Sequence, residues 1–507
     1  MSRTDPLPFE LAIRDGDQLF PLTQRGGYLL LSEDGLFHST RRTAVGAHYV
    51  PYDDITHVVP ARRGIWIGRR RTVEAVTRGR HTRADTAALA RAIEARVARR
   101  PGGAERVALF RENDRRLRGS HGARLTIACA LVWLGLHLLQ VSDGFVESVG
   151  MFVAELARAG EWWRVATAQF LHQVGLPRPE AFESSVGQLL WLRLWLALGP
   201  LASWAPLHLA VNTALLLLFG QLVEQPLGPR RTLVVLGAAG LGAAFASAAV
   251  DERMIGGSGL VLGLAGAALA LELAVPERLP APWRIPRRVL VPVLALEAVL
   301  GFALPVVAGF AHLGGFAGGY LAGRVVGPGG VLDRASSRPL RAAALAVATA
   351  GIAAFAAAAP LVLRWPGALA RHADRMLAVE DATAGDLNDL AWRMATESDA
   401  LARASARASA LALAERAVEE TERANPDFLD TLAEVRFASG DAGAAIAAID
   451  EAIEIAPWDP YFREQRDRFT GARAPDDRPV APALPWYLRV PDARDAAPWD
   501  EGEGIAI

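Results

Sequence analysis

No lysine occurs anywhere in this 507-residue chain, so all 54 of its strongly basic side chains are arginines. Cysteine is nearly as scarce: Cys129 stands alone, which excludes an internal disulfide and any zinc site built on cysteines. An excess of either charge is missing too, with 54 basic against 55 acidic groups, so nothing favours nucleic-acid binding. Met1 to Asp17 is polar and lacks the apolar stretch of a short cleavable signal, which leaves targeting to the first membrane helix. The missing lysine also narrows the available chemistry. A serine in an apolar setting can pass its proton to His or Lys, and here only histidine remains.

What is present is a long apolar centre. A chain of this length suggests about three or four domains, and between Arg124 and Leu363 the composition shifts to Ala, Leu, Val and Gly, with charged ends on both sides. That pattern reads as a mainly α-helical, polytopic membrane protein. Candidate spans are Arg124 to Val141, Pro206 to Val223, Thr232 to Val250, Ser258 to Val275, Val289 to Leu304, Gly309 to Val326 and Leu340 to Leu363. Arginine clusters precede the first span and lie in alternate connections thereafter: Arg115 to Arg118, Arg230 and Arg231, Arg284 to Arg288, and Arg334 to Arg341. The positive-inside rule then puts the N-terminus in the cytoplasm. Val186 to Trp204 is also apolar but carries Arg193 and Pro200. A mid-membrane arginine costs roughly 2.5 to 3.5 kcal/mol, so this segment is expected to lie in the interface within a long outer loop.

The charged ends read as soluble modules. Residues 1–105 form short strands, with a hairpin over Tyr28 to Ser39 turning at Asp34-Gly35, closed by a helix over Ala84 to Arg99. This order resembles a small pleckstrin-homology-like barrel, or else a β-rich adaptor without a ligand. Residues 380–470 hold two similar units beginning at Leu387 and Leu429, each ending in proline, at Pro426 and Pro457. Their helix pairs, with Gly440 at an internal turn, look like two tetratricopeptide repeats. From 471 to 507 proline and aspartate dominate, which predicts a disordered tail.

Polar residues inside the spans mark a site. His208, Ser258 and His312 lie in the first turns of the second, fourth and sixth spans, which all run in the same direction and so share the outer part of the membrane. Asn212 follows His208 by four residues and shares its helix face. Singly, such a serine reads as a cap and such an asparagine as interhelical glue; an intramembrane histidine is rarer and usually functional. Gly259 and Gly263 on one helix, with Gly315, Gly319 and Gly323 on another, clear two faces for close approach and would bring Ser258 to His312.

Together, Glu161-Trp-Trp-Arg164, Phe170-Leu-His172, His208-Leu-Ala-Val-Asn212, Gly256-Gly-Ser-Gly259 and Ala311-His312 resemble a rhomboid intramembrane serine protease over Ala123 to Val326. The resemblance implies a six-helix core at 120–328, one extra transmembrane helix at 339–364, and no cofactor or metal. It implies Ser258 as nucleophile and His312 as base of a dyad without an acid, an oxyanion hole from His208, Asn212 and the Ser258 N–H, and a place for Trp163-Arg164 in the outer loop. Two departures stand out: a long insertion around Trp191 separates His172 from His208, and Leu262 replaces the aromatic residue usual four positions after the serine. The expected function is cleavage of single-span membrane proteins near the outer face of a bacterial inner membrane, with protein partners bound through the repeats. The rival is a catalytically silent relative that binds membrane helices. A metal site from His172, His208 and His312 is a third reading, disfavoured by an expected lack of carboxylate or thiolate partners in the spans and of an HExxH helix.

Overall fold

The computed structural model describes residues 16–21, 28–39, 48–61, 64–69, 73–77, 83–118, 122–174, 206–276, 279, 283–285, 287–303, 307–331, 333, 336–380, 382–397, 399–480, 482, 486 and 489. The interfacial helix expected over Val186 to Trp204 lies outside these residues.

Antiparallel strands come first: β1 (Gln18–Pro21), β2 (Tyr28–Leu31), β3 (Gly35–Ser39) and β4 (His48–Pro51) form one sheet in sequence order. A second sheet contains β5 (Ile55–Ala61), β6 (Gly64–Arg69) and β7 (Val73–Thr77). The β2–β3 hairpin turns over Ser32 to Asp34, with the Ser32 N–H donating to Gly35 O at 2.9 Å. Leu29, Leu31, Leu36, Val50, Ile55, Ile65 and Ile67 fill the interior against Leu89, Ile93 and Val97 of α1 (Arg83–Ala98). The domain does not stop at 105. Helix α2 (Gly103–Arg118) adds Val107 and Phe110 to the same core, and its Arg106 guanidinium donates to Tyr52 O and Ile55 O at 2.8 and 2.6 Å.

The membrane portion contains α3 (Arg124–Ser142). After it come three short helices, α4 (Phe145–Gly150), α5 (Ala154–Arg158) and α6 (Arg164–Thr167). The apolar helices resume with α7 (Leu207–Leu227), α8 (Pro229–Ala248), α9 (Ser258–Ala274), α10 (Arg287–Ala303), α11 (Gly309–Val326) and α12 (Arg338–Val362). Among the described residues, α3, α7, α8 and α12 are long and apolar enough to cross a bilayer, and α9 is a shorter apolar helix. This is a multi-pass membrane protein.

Polar contacts identify the two ends of this bundle. Glu224, near the end of α7, accepts from the N–H groups of Leu125 and Thr126 at 2.9 and 2.8 Å and so caps α3, whose own first-turn donors have no partner within the helix. At that same end, Arg231 bonds Asp333 and Arg230 bonds Ser336, joining the start of α8 to the connection before α12. The starts of α7, α9 and α11 therefore share the opposite end. Helix α11 packs closely on both α8 and α9. A Cβ at Gly315 or Gly319 would strike the carbonyl of Gly259 or Gly263, while one at Gly314 or Gly318 would strike carbonyls of α8. Only glycine admits both contacts.

The chain divides into two units, one of residues 1–141 with 168–351, the other of 142–167 with 352–507. The segment 142–167, expected within the 120–328 core, thus packs with the C-terminal helices. That second unit also contains a helix the sequence reading missed, α13 (Pro366–Leu377), ahead of α14 (Ala384–Thr396), α15 (Ala404–Glu420), α16 (Pro426–Ala438), α17 (Ala442–Ile455) and α18 (Pro460–Thr470). Helices α14 with α15 and α16 with α17 are consecutive packed pairs, and Gly440 turns the second with φ 92°. Phe145, Val149, Leu156 and Trp163 share a core with Leu369, Met376, Leu390 and Leu413. Within the tail expected to be disordered from 471, the described residues make fixed contacts: Arg489 pairs with Asp427 and Asp459 at 2.6 and 2.7 Å, and Arg478 pairs with Glu434 at 2.9 Å.

Candidate active site

Ser258 is the first residue of α9, where a helix presents N–H groups with no acceptor in their own helix. The turn before it requires two glycines for different reasons. Gly256 has φ 125°, and a Cβ there would lie 2.7 Å from Cε1 of His208. At Gly257 a Cβ would run into the Trp133 indole, which is fully buried. Trp133 packs edge-on to His172, ring centroids 4.6 Å apart, and His172 Nε2 lies 3.4 Å from the Gly257 N–H that donates to it. Gln140 holds His172 by two bonds to its backbone, at 2.9 and 3.1 Å. The serine turn thus rests on a packed platform.

His312, in the first turn of α11, reaches Ser258 Oγ with Nε2 at 2.6 Å. Glycine faces make this distance possible by letting α9 and α11 backbones touch. Glu252, in the connection between α8 and α9, accepts from the N–H groups of Phe310 and Ala311 at 3.3 and 2.9 Å and caps the helix that carries His312. On the far side of the ring, Oε1 of Glu297 from α10 stands 2.5 Å from Nδ1, without the alignment of a hydrogen bond.

His208 and Asn212 occupy the same end but differ in readiness. The Gln173 N–H donates to Nδ1 of His208 at 3.2 Å, which puts the proton of the neutral ring on Nε2, the nitrogen beside Gly256. Asn212 turns its amide back on its own helix, Nδ2 donating to the carbonyl of His208 at 2.9 Å. It therefore stiffens the first turn of α7.

A family model described as Rhomboid domain matches residues 194–329. Over that stretch the chain is similar to a rhomboid domain. No curated protein matches the chain. Ser258, His312, His208 and Asn212 all lie inside the matched rhomboid region, whereas His172 and Glu161 to Arg164 precede it.

Glu161 and Arg164 belong to the other unit. Both are fully buried; Arg164 Nε donates to Glu161 at 2.7 Å, and its Nη1 donates to the carbonyls of Ser148 and Met151 at 2.7 and 2.6 Å. His372 Nδ1 lies 2.7 Å from Glu161 Oε1, and Arg375 Nη1 lies 3.3 Å from the same atom. Burial works against the Glu161 charge, but His372 and then Arg164 outweigh it and hold the carboxyl down at about 2.

Sequence reasoning missed Glu297 and Glu252. It took the spans to lack carboxylates, yet Glu224, Glu272 and Glu297 all sit in apolar helices. Glu224 is spent on capping and Glu272 on the buried Arg284 guanidinium at 2.8 Å. The signal for Glu297 was an acidic residue in an otherwise apolar span, rare enough to demand a partner. The metal reading gains no support: among the described residues no group of three His, Cys, Asp or Glu side chains could hold a metal ion.

Proposed function

We propose that this protein is an intramembrane serine endopeptidase that cuts transmembrane segments of single-span membrane proteins near the outer membrane face. The observation that carries this reading is the 2.6 Å approach of His312 Nε2 to Ser258 Oγ between two glycine-packed helices of a rhomboid domain. In this reading Oγ attacks the scissile carbonyl while Nε2 takes its proton, giving a tetrahedral oxyanion and an imidazolium. The oxyanion lies at the start of α9, where the Ser258 N–H and the Nε2–H of His208 are donors. Collapse expels the amine, protonated by His312, and leaves an acyl-serine; water then enters with His312 again as base, releasing the carboxylate and restoring Oγ–H.

The arginine-rich connections support an inner location for the start of α3 and an outer one for the serine. Because segment 142–167 packs with 352–507 in one unit, the helices after α12 share a side with the loop that follows α3, which is the outer side in this topology. There the helix pairs, as tetratricopeptide-like repeats, hold protein partners or substrate ectodomains and raise the local substrate concentration. The β-rich N-terminal domain, with its pleckstrin-homology-like order, stays in the cytoplasm, and the host membrane is a bacterial inner membrane.

One observation favours the silent alternative: the Asn212 amide is turned to His208 O, which weakens its use as an oxyanion donor. A fluorophosphonate probe and a reporter with a helix-destabilised transmembrane segment decide between the two. Wild-type protein is expected to be labelled at Ser258 and to cleave, and Ser258→Ala and His312→Ala are each expected to abolish cleavage, since nucleophile and base act as a unit. Cleavage that persists in both variants refutes the assignment.

A further inference from the structure

We propose that Glu297 completes a Ser258–His312–Glu297 triad, as a positioning residue that keeps the His312 proton on Nδ1 and steadies the imidazolium formed during catalysis. This inference rests on the serine protease reading above and extends it, since that reading asks for no acid.

The geometry points to it from three sides. Nε2 of His312 can accept the serine proton only if the neutral ring carries its own proton on Nδ1, and Glu297 Oε1 is 2.5 Å from that nitrogen. The carboxylate therefore touches the nitrogen that must carry that proton. Gly301, one turn beyond Glu297 on α10, turns the same helix face to the histidine: a Cβ there would lie 3.9 Å from Nδ1. Finally, a carboxylate in a span is costly unless it has a partner or a role. The other two span carboxylates are committed to capping α3 and to Arg284, whereas Glu297 meets the histidine that touches Ser258.

Exposure allows the effect to matter. The His312 side chain is 14 % exposed and that of Glu297 31 %, so the pair is partly shielded from water. Other ionisable groups facing His312 are Glu252, which caps its helix, and His208, which is within electrostatic range. Ser258 covers the remaining ring nitrogen. Glu297 is the carboxylate placed on Nδ1.

The test uses the full chain in detergent micelles, with Glu297→Gln as the isosteric change and Glu297→Asp as the conservative one. General-base assistance typically contributes about 10²- to 10⁴-fold; losing its orienting partner is expected to lower kcat on the order of 10- to 10²-fold in Glu297→Gln, with KM within about twofold. Glu297→Asp is expected to recover part of kcat, and the acidic limb of the kcat profile is expected to move in Glu297→Gln and return toward wild type in Glu297→Asp. A kcat and pH profile unchanged in Glu297→Gln, with Ser258→Ala still inactive, overturns the triad and leaves the protease reading intact. A second readout needs no turnover: in ¹⁵N-histidine spectra, the His312 resonance, assigned by its loss in His312→Ala, is expected to show an Nδ1-protonated ring with a downfield proton that Glu297→Gln removes. A wild-type His312 protonated on Nε2 overturns the proposal even if no substrate is ever cut.

Discussion

Removing the Glu161 carboxylate is the sharpest test of how the second unit is held. Glu161 is fully buried and anchors Arg164, His372 and Arg375 at 2.7, 2.7 and 3.3 Å. Its carboxyl is held at about 2 against an ordinary 4.5. At about 1.4 kcal/mol per unit this corresponds to about 3 kcal/mol of preference for the charged form in the folded unit. Glu161→Ala also leaves the Arg164 guanidinium buried without its counter-charge, a change that costs about 3 to 5 kcal/mol in buried pairs. Arg375 is 29 % exposed, so Arg375→Ala is expected to cost no more than about 1 kcal/mol. The assay is limited proteolysis of the whole protein in micelles, following cleavage between Ser142 and Thr167. Where opening is fast relative to cutting, 3 kcal/mol raises the rate about 10²-fold. Glu161→Ala cleaved no faster than Arg375→Ala refutes the reasoning. The same pair sets the sign of a pH effect. A depressed carboxyl contributes stability that is complete above its unfolded value of 4.5 and is lost as pH falls toward about 2, so protease resistance of this loop should decline across that window and the Glu161→Ala protein should not share the decline.

Gly319→Leu should force α9 and α11 apart, because its side chain would meet the Gly263 carbonyl; fluorophosphonate labelling of Ser258 should fall by about five- to 10²-fold for an overpacking cost of about 1 to 3 kcal/mol, and labelling at the wild-type rate would contradict the close-packing account. His208→Ala should slow single-turnover cleavage about 10²-fold as a lost oxyanion donor, and Asn212→Ala by less than about tenfold because its amide serves His208 O; equal losses would count against that division. Alkaline phosphatase fused after Phe469 should be active and a cytoplasmic fluorescent protein at the same place dark, whereas the opposite pattern would put the helix pairs on the inner side.

Much of the architecture was legible because it follows from patterns local to the chain. Hydropathy and arginine placement mark the apolar helices and their ends, Asp34-Gly35 marks a hairpin, and glycine spacing marks two faces able to touch. Ser258, His208 and His312 could be put at one depth because each opens a helix running in the same direction. Tertiary structure decided the rest, since carboxylates seek partners in space regardless of separation along the chain. Glu224 reaches back to α3, Glu252 reaches forward to α11, and Glu297 meets a histidine from the next helix. The loop carrying Glu161 groups with the C-terminal helices, because Phe145, Val149 and Trp163 bury themselves among them. Periodicity reports which face of a helix is apolar; it cannot report which distant surface covers that face, and that choice depends on packing and charge neutralisation in the folded chain.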